Sequence, residues 1–206
     1  MDEHTPPLFL EWGVAARPLR GGTLSGDAAV VKFARDLALV ATCDGLGHGA
    51  AAADAATAAA AVLEEFEGED VVSLMRQCDA ALRSTRGAAI SVAVFSASAA
   101  AMTWLGVGNV EGRLLRGTVA APGKGESLIL DPGIVGDGVA WLHTMTVPVA
   151  RGDTLIFATD GVEASFADSL VPVGAPQDIA DRILAEHGRP TDDALVLVAR
   201  YLGGQH

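Results

Sequence analysis

Between residues 88 and 159 the chain passes through a succession of short apolar runs, 88–95, 102–107, 113–115, 127–130, 141–147 and 154–159, with no helical stretch among them. Parallel neighbours need a crossover of about a dozen residues or more, usually a helix. The first three runs, 88–95, 102–107 and 113–115, are separated by short Ser/Ala or Gly/Asn/Glu links, so these three predict an antiparallel meander. Two earlier runs, 28–34 and 37–43, are separated by Arg35-Asp36 alone, which leaves room only for a tight hairpin. Runs 8–16 and 194–201 open and close the set. Three helices are expected. Residues 49–66 are dominated by alanine, the best helix former, with no proline or internal glycine before their end. Val71, Leu74, Met75, Cys78 and Leu82 recur at amphipathic spacing over 71–82, and Ile179, Ile183 and Leu184 share a face over 177–187. The expected fold class is α+β, antiparallel sheets faced by helices rather than a doubly wound parallel sheet.

At 206 residues, without a repeat or an evident linker, the chain reads as one domain over 1–206 with no separate sensor domain. With 26 acidic against 14 basic residues its formal charge is −12, which disfavours nucleic acid and anionic membrane as partners. The richest apolar stretch, 50–63, is mostly alanine and is interrupted by Asp54 and Thr57, so no membrane span is expected. The acidic start, Met1-Asp2-Glu3-His4, does not resemble a secretory signal, and a cytoplasmic monomer is the expected state. Cys43 and Cys78 belong to no CxxC or Cys/His cluster, which argues against a disulfide framework and a structural zinc site.

The chemistry lies where the aspartates fall. Run 37–43 delivers Asp44-Gly45 and run 154–159 delivers Asp160-Gly161. A carboxylate at a strand end stands at the rim of a sheet, held rigidly by the strand below it. The glycine lets the chain turn sharply and leaves its carbonyl exposed as a further oxygen ligand. Asp27 opens another strand after Ser25-Gly26, and Asp192-Asp193 precedes the last one. Each Asp alone is explained by turn preference. Together they form a like-charge set that repels itself unless cations bind, and the all-oxygen donors suit Mg²⁺ or Mn²⁺ better than zinc.

These residues carry a resemblance. Ser25-Gly26-Asp27, Asp44-Gly45-Leu46-Gly47-His48-Gly49 before a long helix, Arg86-Gly87-Ala88, Gly106-Val107-Gly108-Asn109-Val110, Ala158-Thr159-Asp160-Gly161 and Asp192-Asp193-Ala194 stand in the order of the metal-dependent type 2C protein phosphatases. Within them the chain is similar to the SpoIIE-like branch, especially its small stand-alone stressosome member. The resemblance covers about residues 26–202. It implies an αββα sandwich with two Mn²⁺ or Mg²⁺ ions at one end. It also implies a serine/threonine protein phosphatase in which a water bridging the two metals attacks phosphorus. The implied catalytic residues are Asp44, bridging both ions, and Asp160. The Gly45 carbonyl would hold one ion through water, Asp160 and Asp192 would complete the first ion's shell, and Asp27 would support the other side. Asp193 is expected behind the ligands, although the adjacent pair leaves open which of Asp192 and Asp193 is direct. The implied partner is a phosphorylated STAS-domain stressosome protein or an anti-sigma-factor antagonist. Two other readings share the motifs: an inactive phosphoprotein-binding module of the same fold, and a phosphohydrolase acting on small phosphate esters.

Departures from the family pattern mark the remaining candidates. A His often follows the Asp-Gly pair directly, where this chain has Leu46, so His48 is a displaced general-acid candidate beside its plain reading as a solvated residue. Arg86 is either a bidentate phosphate donor or an ordinary cation in the last turn of a helix. Asn109 stands where larger relatives carry Asp, which predicts a weak or absent third metal site. The Gly/Pro-rich segment 117–138 is expected as a mobile flap, with Ile134-Val135 either docking the substrate protein or buried as core.

Overall fold

The meander expected over 88–115 is only partly present: the strands at 88–96 and 101–107 pair antiparallel, whereas the strand at 111–115 joins a second sheet, and the register of the strands decides where the acids go. The computed structural model describes residues 9–19, 22–117 and 125–204. Its strands in chain order are β1 (Leu10–Arg17), β2 (Asp27–Ala34), β3 (Leu37–Gly45), β4 (Ala88–Ser96), β5 (Ala101–Val107), β6 (Glu111–Leu115), β7 (Gly125–Ser127), β8 (Leu130–Asp131), β9 (Met145–Pro148), β10 (Thr154–Ala158) and β11 (Ala194–Tyr201). The helices are α1 (Ala50–Glu64), α2 (Val71–Leu82), α3 (Phe166–Ser169) and α4 (Pro176–His187). One sheet runs β2-β3-β4-β5-β8, with β9 also paired to β5, and the other runs β1-β11-β10-β6-β7. All pairings are antiparallel except β5 with β8.

Alternation along the strands sends side chains to two faces, and both faces of each sheet are covered. Phe9, Val40, Phe95, Trp104, Phe157, Leu197 and Tyr201 fill the space between the sheets. Leu39, Ala41, Cys43, Ile90 and Val92 face outward onto α1 and α2, meeting Ala55, Ala59, Leu63, Leu74 and Cys78. Ile156, Ala158, Val196 and Val198 pack against Ile179, Ala180 and Ile183 of α4 and Phe166 of α3. The result is helix, sheet, sheet, helix: the αββα sandwich expected from the resemblance. The alanines of α1 let it lie close on β3, and Ala52, Ala55 and Ala59 are fully buried there. The side chain of Asp70 caps α2 by accepting from the Val72 and Ser73 amides. Both cysteines are buried and free, and burial pushes the Cys43 thiol well up. No helix among the described residues is long and apolar enough to cross a membrane.

Segment 117–138 differs from the mobile flap expected. Residues 118–124 lie outside the described part, and the remainder is pinned. The strand expected at 127–130 is two pieces on different sheets, β7 beside β6 and β8 beside β5, so the segment crosses the sandwich edge. The buried Asp79 of α2 accepts hydrogen bonds from the amides of Gly136, Gly138 and Val139 with one oxygen, and Asp131 accepts from the amide and Nδ1 of His143. Val135 is fully buried and bridges to Ala88, so Ile134-Val135 is not an exposed docking pair. The run expected over 141–147 is extended only at β9, with Trp141 exposed.

Candidate metal centre

The β2–β3 register sets Asp27 opposite Asp44, and the β3–β4 register sets Asp44 opposite Ala89. In the other sheet, antiparallel pairing of β10 with β11 brings the end of β10, continuing into Thr159-Asp160, beside the start of β11, preceded by Asp192-Asp193. The two sheets are joined at this edge. Thr159 donates its hydroxyl to Asp27 Oδ2 at 2.8 Å and accepts from the Leu195 amide at 2.9 Å. The carboxylate of Asp193 accepts from the Leu19 amide at 2.7 Å and the Gly26 amide at 2.9 Å, clamping the approach to β2 onto the start of β11.

What remains open is a pocket of about 160 Å³ lined by Asp44, Leu46, Gly47, His48, Ala89, Asn109, Asp160 and Asp192. Three carboxylates thus reach one space from three strand ends. Asn109, in the β5–β6 turn, donates Nδ2–H to Asp160 Oδ2 at 2.8 Å. Asp27 and Asp193 stand outside the pocket lining, each engaged by the hydrogen bonds just described. Among the described residues no three His, Cys, Asp or Glu side chains close on a common point, so the acids border a space rather than form a finished cage.

The electrostatics record the crowding. Burial, and after it the charges of Asp27, Asp160, Asp192 and Asp193, push the Asp44 carboxyl up to about 8. Burial likewise raises Asp27 to about 7; the Thr159 hydrogen bond opposes that rise, and the neighbouring Asp193, Asp160 and Asp192 add to it. Asp160 is raised by burial and by Asp192, against the opposing pull of Arg189 and the hydrogen bond from Asn109. A set of acids that resists ionisation in its own company is short of positive charge. The polar side chains lining the pocket are three carboxylates and the Asn109 amide with a single imidazole, Gly45 lying outside the lining, and the carboxylates fit a hard divalent cation such as Mg²⁺ or Mn²⁺.

The glycines of the two Asp-Gly pairs act differently from the sequence expectation. Neither Gly45 nor Gly161 takes positive φ. Both are needed for close approach: a Cβ on Gly45 would lie 2.1 Å from the Ala52 carbonyl oxygen, and one on Gly161 would lie 1.8 Å from that of Asp193. His48 lines the acid pocket, two residues displaced as it is. Two contributors escaped the sequence reading. Thr159 is an ordinary strand residue until its partner across the sandwich is known, and Arg189 reaches the Asp160 carbonyl through Nη1 at 3.3 Å from the loop after α4.

Comparison with known proteins identifies the family. The family model of stage II sporulation protein E (SpoIIE) matches residues 35–202. The phosphoserine phosphatase RsbX of Bacillus subtilis (strain 168) is 29% identical over 144 residues, 69% of each chain. Among solved structures, a chain from work on the bacterial stressosome as a modular system adapted to secondary messenger signalling is 28% identical. It superposes with a TM-score of 0.83 over 93% of this chain and 99% of that one. RsbX in complex with magnesium gives 0.81 at 21% identity, over 93% and 95% of the two chains. The PP2C phosphatase domain of SpoIIE from Bacillus subtilis, solved with a fragment of its regulatory domain, gives 0.77 at 20% identity, over 96% of this chain and 64% of that one. The chain belongs to the SpoIIE family. It is a phosphatase related to RsbX, with the fold of the PP2C phosphatase domain of SpoIIE.

Proposed function

We propose that the protein hydrolyses phosphoserine or phosphothreonine on a signalling protein at a two-metal centre bordered by Asp44, Asp160 and Asp192. The observation that carries this reading is that these three carboxylates, from the ends of β3 and β10 and the approach to β11, line one pocket. Two divalent cations bound there would offset charge on the phosphoryl oxygens and lower the pKa of a shared water. Asp44 would contact both ions, Asp160 and Asp192 one of them, and the Gly45 carbonyl would act through water. Asp27 supports the side facing Asp44, held by Thr159. Asp193, occupied by two backbone amides, fixes the loop that presents Asp192. Asn109 turns its amide toward Asp160 and offers no charge to a third ion. His48 lines the pocket and would be the candidate to hand a proton to the leaving seryl oxygen, beside its plain reading as a solvated residue.

The likeness to RsbX and to the stressosome chain supports a phosphorylated STAS-domain stressosome protein, or an anti-sigma-factor antagonist, as substrate. It fits a cytoplasmic, monomeric, single-domain phosphatase over 1–206 that resets a stress-signalling switch. The test is phosphate release from a phosphoserine STAS-domain protein and from an aryl phosphate, with Mn²⁺, with Mg²⁺ and with a chelator. Release from both substrates that the chelator abolishes is expected. Binding of the phosphoprotein without release would establish the inactive module instead, and activity on small esters alone would establish the small-molecule hydrolase.

A further inference from the structure

We infer that Arg86 is the residue that holds the substrate's phosphoryl group at the mouth of the acid pocket; this rests on the phosphatase reading above. The sequence leaves Arg86 divided between phosphate contact and the C-terminal turn of α2. The structure removes the second role: α2 ends at Leu82, its cap is Arg83, and no basic residue lies in its last turn. Arg86 sits beyond the cap in the turn leading into β4, and that turn is built firmly. Thr85 donates its hydroxyl to the Leu82 carbonyl and accepts from the Gly87 amide, while the Leu46 amide donates to the Gly87 carbonyl at 3.0 Å. The turn is thereby tied to the loop that follows Asp44.

From this base the guanidinium lies against Gly47 on the pocket wall. A Cβ placed on Gly47, which lines the pocket, would lie 3.0 Å from Arg86 Nη1. The side chain is exposed, and among the described residues no carboxylate lies within ion-pairing distance of it. In a chain of net charge −12 the acidic surface repels a phosphorylated partner, and an arginine free of carboxylate partners next to the pocket wall supplies charge of the opposite sign. Arg189, another cation at this end, is already bonded to the Asp160 carbonyl. A guanidinium presents paired donors that match phosphate oxygens, whereas a lysine supplies only a point charge.

The test compares wild type, R86Q and R86K in steady-state hydrolysis of a phosphoserine protein, with inhibition by inorganic phosphate and melting temperature measured on each. R86Q is expected to raise KM and the phosphate concentration for half-inhibition together by about tenfold or more, the scale of a charged hydrogen bond. Its melting temperature and the Mn²⁺ concentration for half-activation should stay unchanged, and R86K should recover part of the loss. Unchanged KM and phosphate inhibition in an active R86Q would overturn the inference alone. So would losses that travel with a lowered melting temperature or a shifted Mn²⁺ requirement, which would make Arg86 a part of the turn or of the metal centre. A wild-type chain that hydrolyses neither substrate overturns the phosphatase reading and this inference with it.

Discussion

Asp192 and Asp193 are chemically identical neighbours with opposite environments. Asp192 lines the acid pocket, whereas Asp193 is 4% exposed and accepts two backbone amides from the approach to β2. Asp192→Ala should therefore raise the Mn²⁺ concentration needed for activity with little change in melting temperature. Asp193→Ala leaves the Leu19 and Gly26 amides without an acceptor and should cost about 1–3 kcal/mol of stability for each one left buried. Melting curves and metal titrations on both variants check the split, and equal melting temperatures would contradict it. The resemblance set Asp193 behind the ligands but left the choice within the pair open, because the amides that claim Asp193 lie 174 and 167 residues away. Thr159 was hidden for the same reason: its bond to Asp27 spans 132 residues.

Among the elements, the strands themselves were legible because alternation and short links are local signals, whereas the passage of β6 into the other sheet was not. Segment 125–139 was not, since its conformation is imposed by Asp79 on α2 and by pairing to two different sheets. The Asp-Gly pairs were recognised as strand ends, but the reason for the glycine is packing rather than turning. Gly161 brings β10 so close to the residues preceding β11 that any Cβ would collide with the Asp193 backbone. Gly161→Ala should thus destabilise the protein by about 1–3 kcal/mol through overpacking. It should also weaken metal-dependent activity, because Asp160 and Asp192 flank the displaced backbone. Chemical denaturation together with an activity assay measures both effects; a variant with wild-type stability would show that the strand ends are less tightly joined than described.

For the whole molecule, the acid cluster makes folding stability depend on pH and on cations. Asp27 and Asp44 have an ordinary value of 3.8 and titrate at about 7 and about 8 in the folded chain. Between these values the folded state keeps protons that the unfolded chain has released. Rising pH therefore lowers stability through that window, and the effect levels off above the higher folded value. The metal-free chain should melt at a higher temperature near pH 5 than above pH 8. Mn²⁺ or Mg²⁺ should raise the melting temperature most at the alkaline end, where the carboxylates are free to bind it. A metal-free melting temperature that climbs steadily with pH across this window would contradict the crowding of these acids.

The central claim is that aspartates at the ends of strands from two sheets form one binuclear metal centre, and manganese anomalous scattering from crystals grown with Mn²⁺ tests it most directly. The account predicts two manganese peaks in the pocket, with Asp44 touching both, Asp160 and Asp192 touching one, and Asp193 touching neither. A single ion bound elsewhere, or two ions held without Asp44, would contradict it.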